Sequence, residues 1–390
     1  MDCEQELVSR AIGLRRLLER NAARTEAERR VVEENMRALE SAGLMELMLP
    51  TRLGGQGASM AITLKVAAEL GKGCPSTAWV QTLMNVSAWF ATRASPQAQE
   101  EIFGGPARPR LCGSLAPTCT LRMVEGGAVI SGRWDFTSGC WHSNWCICGI
   151  PALECDARRE ESGWAFIPMT ELTVEDTWYA AGMKGTGSAT VVADEVFVPR
   201  HRLMSLRGEH VDENWRTRPD LEKCDHWPLK PVLVLVLIGP VLGAAEAVLE
   251  AVAPVTHQRG IKYTVYTHRS LSPVVQRDFA MAALKLDSAR FHVLRAAADV
   301  DHAGAGVDMD SVTRARVRGD CGYAAELARE AVEMLVSITG GTAFPDSNRI
   351  QRHWRDVGVA SRQSALITAT DLEIYGRALL GVESNITAVV

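Results

Sequence analysis

The sequence predicts an α+β protein in three successive parts: an N-terminal helical domain over residues 1–110, a middle antiparallel β-barrel or sandwich domain over 111–227, and a C-terminal four-helix bundle over 228–390. Three observations predict it. Apolar residues recur at helical spacing almost without interruption through the first hundred or so positions. Short β-type runs separated by Gly, Pro, Asp and Ser replace that period from Leu111 onward. Long Ala-rich amphipathic segments restore it beyond residue 230.

Each element has its own signal. Leu7, Val8, Ala11, Leu14, Leu17 and Leu18 mark a first helix over residues 4–20. Thr25-Glu26-Ala27-Glu28 reads as a capping box that opens a second helix through Val31, Val32, Met36 and Leu39, with Gly43 at its C′ position. After Pro50 the glycine loop LGGQGAS ends in an N-cap, Ser59, before a helix through Leu64, Val66, Ala67 and Leu70 that Gly71 and Gly73 close. A further helix starts near Pro75-Ser76 and carries Trp79, Leu83, Val86 and Phe90. The runs AVISGRWDF, WCICGI, WAFIPM and ATVVADEVFV then read as strands, with Gly208–Trp227 as connector to the bundle. The bundle helices are Val241–Val252, Val274–Val300, Ser311–Thr339 and Asp356–Leu380, with turns at Gly304-Ala305-Gly306 and Gly340-Gly341. The longest apolar run, Pro231–Leu249, is interrupted by Gly239-Pro240 and carries Glu246, so it reads as two buried elements and not as a membrane span.

Composition narrows the function. With 390 residues the core is large enough to fold without disulfide or metal staples. Hydrophobic residues make up 47% and charged residues 23%, which excludes a disordered chain, and a net charge of −5 gives no electrostatic support for nucleic-acid binding. Cys146-x-Cys148 is the one tight pair among ten cysteines, and no second Cys or His pair accompanies it at zinc-ligand spacing, so no metal is expected. The first residues, MDCEQELVSR, lack the basic and apolar regions of a signal peptide, and free thiols fit the cytoplasm, the expected location.

Local patterns leave the chemistry open. None of the glycine clusters matches a dinucleotide or P-loop fingerprint, and the α-β-α order lacks βαβ repetition, which argues against a Rossmann site. Ser138-Gly139 follows the strand GRWDFT, where it is either an ordinary turn or a hydroxyl facing a bound ring. Trp134, Trp141, Trp145, Trp164 and Trp178 either fill the core or line an aromatic pocket. His142 and His201 are general bases or plain hydrogen-bonded groups.

Longer stretches in combination carry a resemblance. GLMELMLPTRLGGQGAS, ISGRWDFTSG, TWYAAGMKGTGSATVVADEVFVP, SITGGTAF and RDVGVASRQSALI, in this order, resemble the signature segments of the acyl-CoA dehydrogenase fold over essentially the whole chain. SGRWDFTSGCWHSNW and TWYAAGMKGTGS are similar to its two-component flavin-dependent monooxygenase branch, which includes hydroxyphenylacetate hydroxylase oxygenase components, dibenzothiophene monooxygenase and nitrososynthases. The resemblance implies an oxygenase component that takes reduced flavin, FADH2 or FMNH2, from a separate reductase. With O2 it would act through a C4a-hydroperoxyflavin on a small aromatic, an amine or another natural-product intermediate. It also implies a homotetramer in which a neighbouring subunit completes the flavin site; charge and the lack of a membrane span argue separately against a nucleic-acid or membrane partner.

Residue by residue, the resemblance places Phe136 beside the isoalloxazine, Ser138 at flavin N5 and Trp178 as a wall of the ring or substrate. Arg259 and Gln276 fall where relatives contact the phosphate and adenine end, and Gly340-Gly341 where the chain approaches it closely. One departure matters. Seven residues past the Arg-Asp pair, where phenol hydroxylases of the branch carry a histidine, this chain has Gln363, and the next position, a dehydrogenase glutamate, is Ser364. An amide orients but takes no proton at neutral pH. Ser138 and Gln363 are therefore the expected catalytic positions, and the expected substrate has a nucleophile that needs no base: an amine, a sulfide, or an indole or pyrrole carbon. The competing expectations are an acyl-CoA or acyl-carrier dehydrogenase, which would bleach its own flavin on meeting an acyl thioester, and a flavin-free binding protein.

Overall fold

The computed structural model describes residues 3–106, 108–153, 162–205, 220–383 and 386–387. Helices α1 (Cys3–Glu28), α2 (Glu33–Ser41), α3 (Met60–Gly73), α4 (Pro75–Ala91) and α5 (Pro96–Phe103) come first. Strands follow: β1 (Leu111–Ser114), β2 (Cys119–Val124), β3 (Gly127–Thr137), β4 (Trp145–Ile150), β5 (Gly163–Pro168), β6 (Thr173–Glu175), β7 (Ala189–Pro199) and β8 (Leu203–Ser205). Helices α6 (Leu229–Leu235), α7 (Ile238–Gln258), α8 (Pro273–Ala303), α9 (Ser311–Thr339), α10 (Arg349–Ala360) and α11 (Thr368–Leu379) complete the α+β order. Most of the expected connector, residues 206–219, lies outside the described residues.

Three local expectations change. Thr25–Glu28 opens no helix, because α1 runs through it to Glu28. Thr25 is buried, and Glu26 is held by Arg352 and Arg355 of α10, so tertiary contacts keep this turn helical. The break falls at Arg29, whose φ is +52°. The Asp356–Leu380 segment is likewise two helices, α10 and α11, parted by a short 3₁₀ turn at Ser364–Leu366. Within the otherwise antiparallel strands, β1 and β4 pair in parallel, Leu111 opposite Trp145.

The strands form two sheets, ordered β1-β4-β5-β8 and β2-β3-β7-β6. Their inner faces share one core, with Cys146, Cys148 and Ile167 from the first sheet against Ile130, Trp134 and Val191 from the second, so the middle part is a sandwich. Trp134 fills that core, its indole N–H donating to the Gly149 carbonyl at 2.9 Å. The apolar stretch Leu229–Gln258 is long enough to cross a membrane, but its most apolar 18-residue window is 89% buried inside the fold. Ala282, Leu286, Ala289, Val293, Ala296 and Val300 bury the inner face of α8, and Asp301 at its far end accepts from the Met60 and Ala61 N–H groups to cap α3. The outer face of α8 keeps Val274, Met281, Leu284 and Phe291 exposed, a stripe of large apolar side chains that nothing among the described residues covers.

Candidate active site

The site starts at an irregularity in a strand. β3 pairs with β7 through two register shifts, one between Ile130 and Gly132 and a second between Trp134, opposite Val191, and Thr137, opposite Ala189. Phe136 sits in this second bulge with φ at +59°, a left-handed conformation that costs an aromatic residue about 1 kcal/mol or more. The result is a phenyl ring 71% exposed, edge-on to Trp178 with centroids 5.9 Å apart. Two residues on, Ser138 is buried, and its hydroxyl lies 2.6 Å from that of Ser188. Ser188 in turn lies 2.6 Å from the Thr186 hydroxyl, which donates to the Met183 carbonyl at 2.8 Å.

Trp178 belongs to a loop that α10 holds in place. Its indole N–H donates to the Met183 carbonyl at 3.0 Å, while the Met183 N–H donates to Asp356. Arg355 donates to the Ala181 carbonyl at 2.6 Å and pairs with Glu26 at 2.7 Å. The approach is close enough to require Gly182, where a β-carbon would lie 2.2 Å from the Arg355 carbonyl oxygen. Burial pushes the Asp356 carboxyl up to about 7, against the opposing pull of the Met183 N–H and Arg355. Gln363, just past the end of α10, is half-buried. Its side-chain oxygen accepts from the Ala365 N–H at 2.6 Å and so caps the 3₁₀ turn, and its amide N–H groups make no hydrogen bond among the described residues. Ser364 beside it is exposed.

Arg259, Gln276, Gly340 and Gly341 lie around a different turn, Arg269–Leu271. The Arg259 carbonyl accepts from the Arg269 N–H at 2.9 Å, and the Gln276 amide donates to the Ser270 carbonyl at 2.8 Å. Gly340 adopts φ +66° and ψ −160°, a region essentially closed to other residues, and a β-carbon there would lie 3.8 Å from the Arg269 guanidinium. Gly341 faces open space. Nη1 of Arg269 is buried with no hydrogen-bond partner, a guanidinium nitrogen left for an anion such as a phosphate. Arg269 was not legible as a site residue in the sequence, nor were Thr186 and Ser188. The two hydroxyls sit inside the quoted stretch KGTGS, so that stretch was their signal.

Of the expected residues, the structure thus brings Phe136, Ser138 and Trp178 to one corner and Arg259, Gln276, Gly340 and Gly341 to another. No hydrogen bond or ring contact among the described residues joins the two. His201 stands apart, 2.8 Å from Glu101. His142 lines a cleft of about 490 Å³ with Glu28, Arg30, Val31, Glu33 and Trp141, which shares no residue with either corner. Burial pushes the His142 pKa down, so the ring is neutral at neutral pH, and its Nε2 has no partner.

One corner is thus an exposed Phe136 against a half-buried Trp178 near a buried hydroxyl, and the other a guanidinium nitrogen without a partner among the described residues beside an open glycine turn. Helices on both sides of a small sandwich give the acyl-CoA dehydrogenase fold. Residues 10–105 match the acyl-CoA dehydrogenase N-terminal domain and residues 235–366 its C-terminal domain. The solved structure of XiaF from Streptomyces sp., in complex with FADH2 and glycerol, is 30% identical with a TM-score of 0.93 and covers 98% of this chain and 97% of that one. The oxygenase component of an FADH(2)-dependent resorcinol hydroxylase from Rhizobium sp. strain MTP-10005 is 29% identical over 97% of this chain and 94% of its own length. The flavin-dependent monooxygenase oxygenase subunit HsaA of Mycobacterium tuberculosis H37Rv is 29% identical over 94% and 93%. The chain belongs to the acyl-CoA dehydrogenase family, in its branch of two-component flavin-dependent monooxygenases, and is an oxygenase component of that class.

Proposed function

We propose that this oxygenase component binds reduced flavin delivered by a separate reductase and hydroxylates a small, electron-rich aromatic or amine substrate. The carrying observation is the corner of Phe136, Ser138 and Trp178: an exposed aromatic edge held in a strained bulge above a buried hydroxyl, the complement of a flat ring with one polar edge atom. Bound reduced flavin supplies the electrons that activate O2. The protein's part is to position the ring against Phe136 and Trp178, hold its N5 edge at Ser138, and keep water away. Arg269, Arg259, Gln276 and the Gly340-Gly341 turn hold the phosphate end.

Gln363 supports a substrate that needs no base. Its side-chain oxygen already accepts from Ala365, which leaves amide N–H groups to donate to substrate or oxygen and nothing to take a proton. The exposed stripe of Val274, Met281, Leu284 and Phe291 supports a homotetramer, since side chains of this size in a row on one helix ask for a partner surface. Eight cysteines among the described residues are free thiols, which supports a cytoplasmic location.

The test is anaerobic titration of the apo protein with reduced FAD and reduced FMN, followed by turnover with a flavin reductase and a panel of indoles, anilines, sulfides and phenols. Saturable binding of reduced flavin and a hydroxylated product that depends on the reductase are expected, with indoles or anilines ahead of phenols. Absence of saturable binding, or reduction of bound flavin by an acyl thioester, would defeat the proposal.

A further inference from the structure

We infer that Thr186, Ser188 and Ser138 form a one-way hydrogen-bond relay that leaves Ser138 only lone pairs to offer a ligand, so that the site selects the reduced flavin, with its N5–H, over the oxidised one. The inference rests on the proposed placement of flavin N5 at Ser138. It adds two positioning residues, Thr186 and Ser188, that this placement alone does not give.

The direction follows from one carbonyl. A carbonyl oxygen only accepts, so the 2.8 Å contact between the Thr186 hydroxyl and the Met183 carbonyl uses the single Thr186 proton. The 2.6 Å contact between Thr186 and Ser188 then needs a proton from Ser188, the only one it has. The 2.6 Å contact between Ser188 and Ser138 needs the proton of Ser138 for the same reason. All three side chains are buried, so no bulk water stands in for a missing partner. The Met183 end is itself fixed, because its N–H donates to Asp356 and its carbonyl also accepts from Trp178. Ser138 is left as an acceptor. Reduced flavin presents N5–H, a donor, and oxidised flavin presents a bare N5, an acceptor facing an acceptor.

For an oxygenase fed by another protein this selection is useful. Reduced flavin enters and stays through its N5–H, while the oxidised flavin left after turnover meets a repelling contact and departs.

The experiment measures dissociation constants of the full-length apo protein for reduced FAD, anaerobically, and for oxidised FAD, with melting temperature as the folding control. The native protein should bind reduced FAD at least about tenfold more tightly, the size of one hydrogen bond made or denied. In Thr186→Val, and independently in Ser188→Ala, Ser138 regains a free proton, so binding of oxidised FAD should tighten and the ratio narrow by about tenfold. Thr186→Ser restores the chain and should restore the ratio. Ser138→Ala should weaken reduced FAD and, by removing the acceptor that opposes the bare N5, tighten oxidised FAD by less than Thr186→Val does, since no donor replaces it. If Ser138→Ala leaves both constants unchanged, the N5 placement falls and the relay with it. If Ser138→Ala acts as expected but Thr186→Val and Ser188→Ala leave the oxidised constant unchanged, the placement stands and the relay is overturned. Should Thr186→Val fail to fold, Ser188→Ala carries the same test.

Discussion

The two corners of the candidate site are built differently. Around Ser138 and Trp178 the groups that position the site are tied within the chain: hydroxyl to hydroxyl to carbonyl, the Trp178 loop to α10, Glu26 of α1 to Arg352 and Arg355. Around Gly340 an arginine nitrogen is buried without a partner, Gly341 faces open space, and the neighbouring α8 shows a bare apolar stripe. One chain finishes the corner that would meet the flavin ring and leaves the corner that would meet its phosphates unfinished. In the proposed homotetramer, a site divided in this way would tie cofactor affinity to assembly while leaving the geometry at the reacting edge to a single chain.

The sharpest way to break that comparison is to remove the assembly. Leu284 and Phe291 are 61% and 72% exposed, so replacing both by glutamate should leave the monomer folded while placing two charges on the proposed contact. Light scattering should then show the mass of a single chain, and reduced-flavin affinity should fall by about a hundredfold, the effect of losing a central interface contact. A folded monomer with native affinity would show that the phosphate corner is complete after all. A smaller effect should come from Arg269→Ala. Losing a charge-assisted hydrogen bond should weaken reduced FAD and FMN by about ten- to a hundredfold but leave reduced riboflavin, which has no phosphate, unchanged. Equal losses for all three would place Arg269 away from the phosphate.

The ring corner is sharpened by Asp356. Its carboxyl titrates near 7 in the folded chain against 3.8 as the ordinary value, so between those limits the folded protein holds a proton that the unfolded chain has released. This group's contribution is therefore largest at low pH and is lost as pH rises from about 4 to about 7. Asp356→Asn keeps an acceptor for the Met183 N–H without the charge, so chemical denaturation across that window should show stability relative to the native chain improving as pH rises. A difference independent of pH would mean that Asp356 is ionised throughout.

The sequence made the order of helices, strands and helices plain because periodicity is a local property. It failed where distant groups decide. The Thr25–Glu28 box is a valid start signal, but Arg352 and Arg355, more than three hundred residues away, hold it inside α1. The break at Ser364 interrupts a segment whose apolar spacing continues, since the Gln363 side chain, and not glycine or proline, starts the new turn. At the site, Phe136, Ser138 and Trp178 were marked by resemblance. Thr186, Ser188 and Arg269 were not, because a relay and an orphaned guanidinium are facts about neighbours in space.

The smallest effect is expected at Gln363, and it tests whether the ring corner uses that residue for chemistry or for shape. Its side-chain oxygen caps the turn at Ala365, a bond whose loss costs about 1 kcal/mol, so Gln363→Ala should lower the melting temperature slightly and turnover by no more than about tenfold. Gln363→Glu keeps the capping acceptor, so flavin binding should survive. A carboxylate in place of the donating amide should disturb turnover, because a half-buried acid is costly to ionise and, once ionised, donates nothing. A loss of two orders of magnitude or more in Gln363→Ala, with flavin affinity intact, would exceed what a cap can explain and make this residue essential to the chemistry. The pH profile gives an independent check, since an amide contributes no ionisation near neutrality. A limb near pH 6 to 7 that disappears when His142 is substituted would carry the base role to the cleft beside Trp141, where burial already holds the imidazole neutral and Nε2 has no partner.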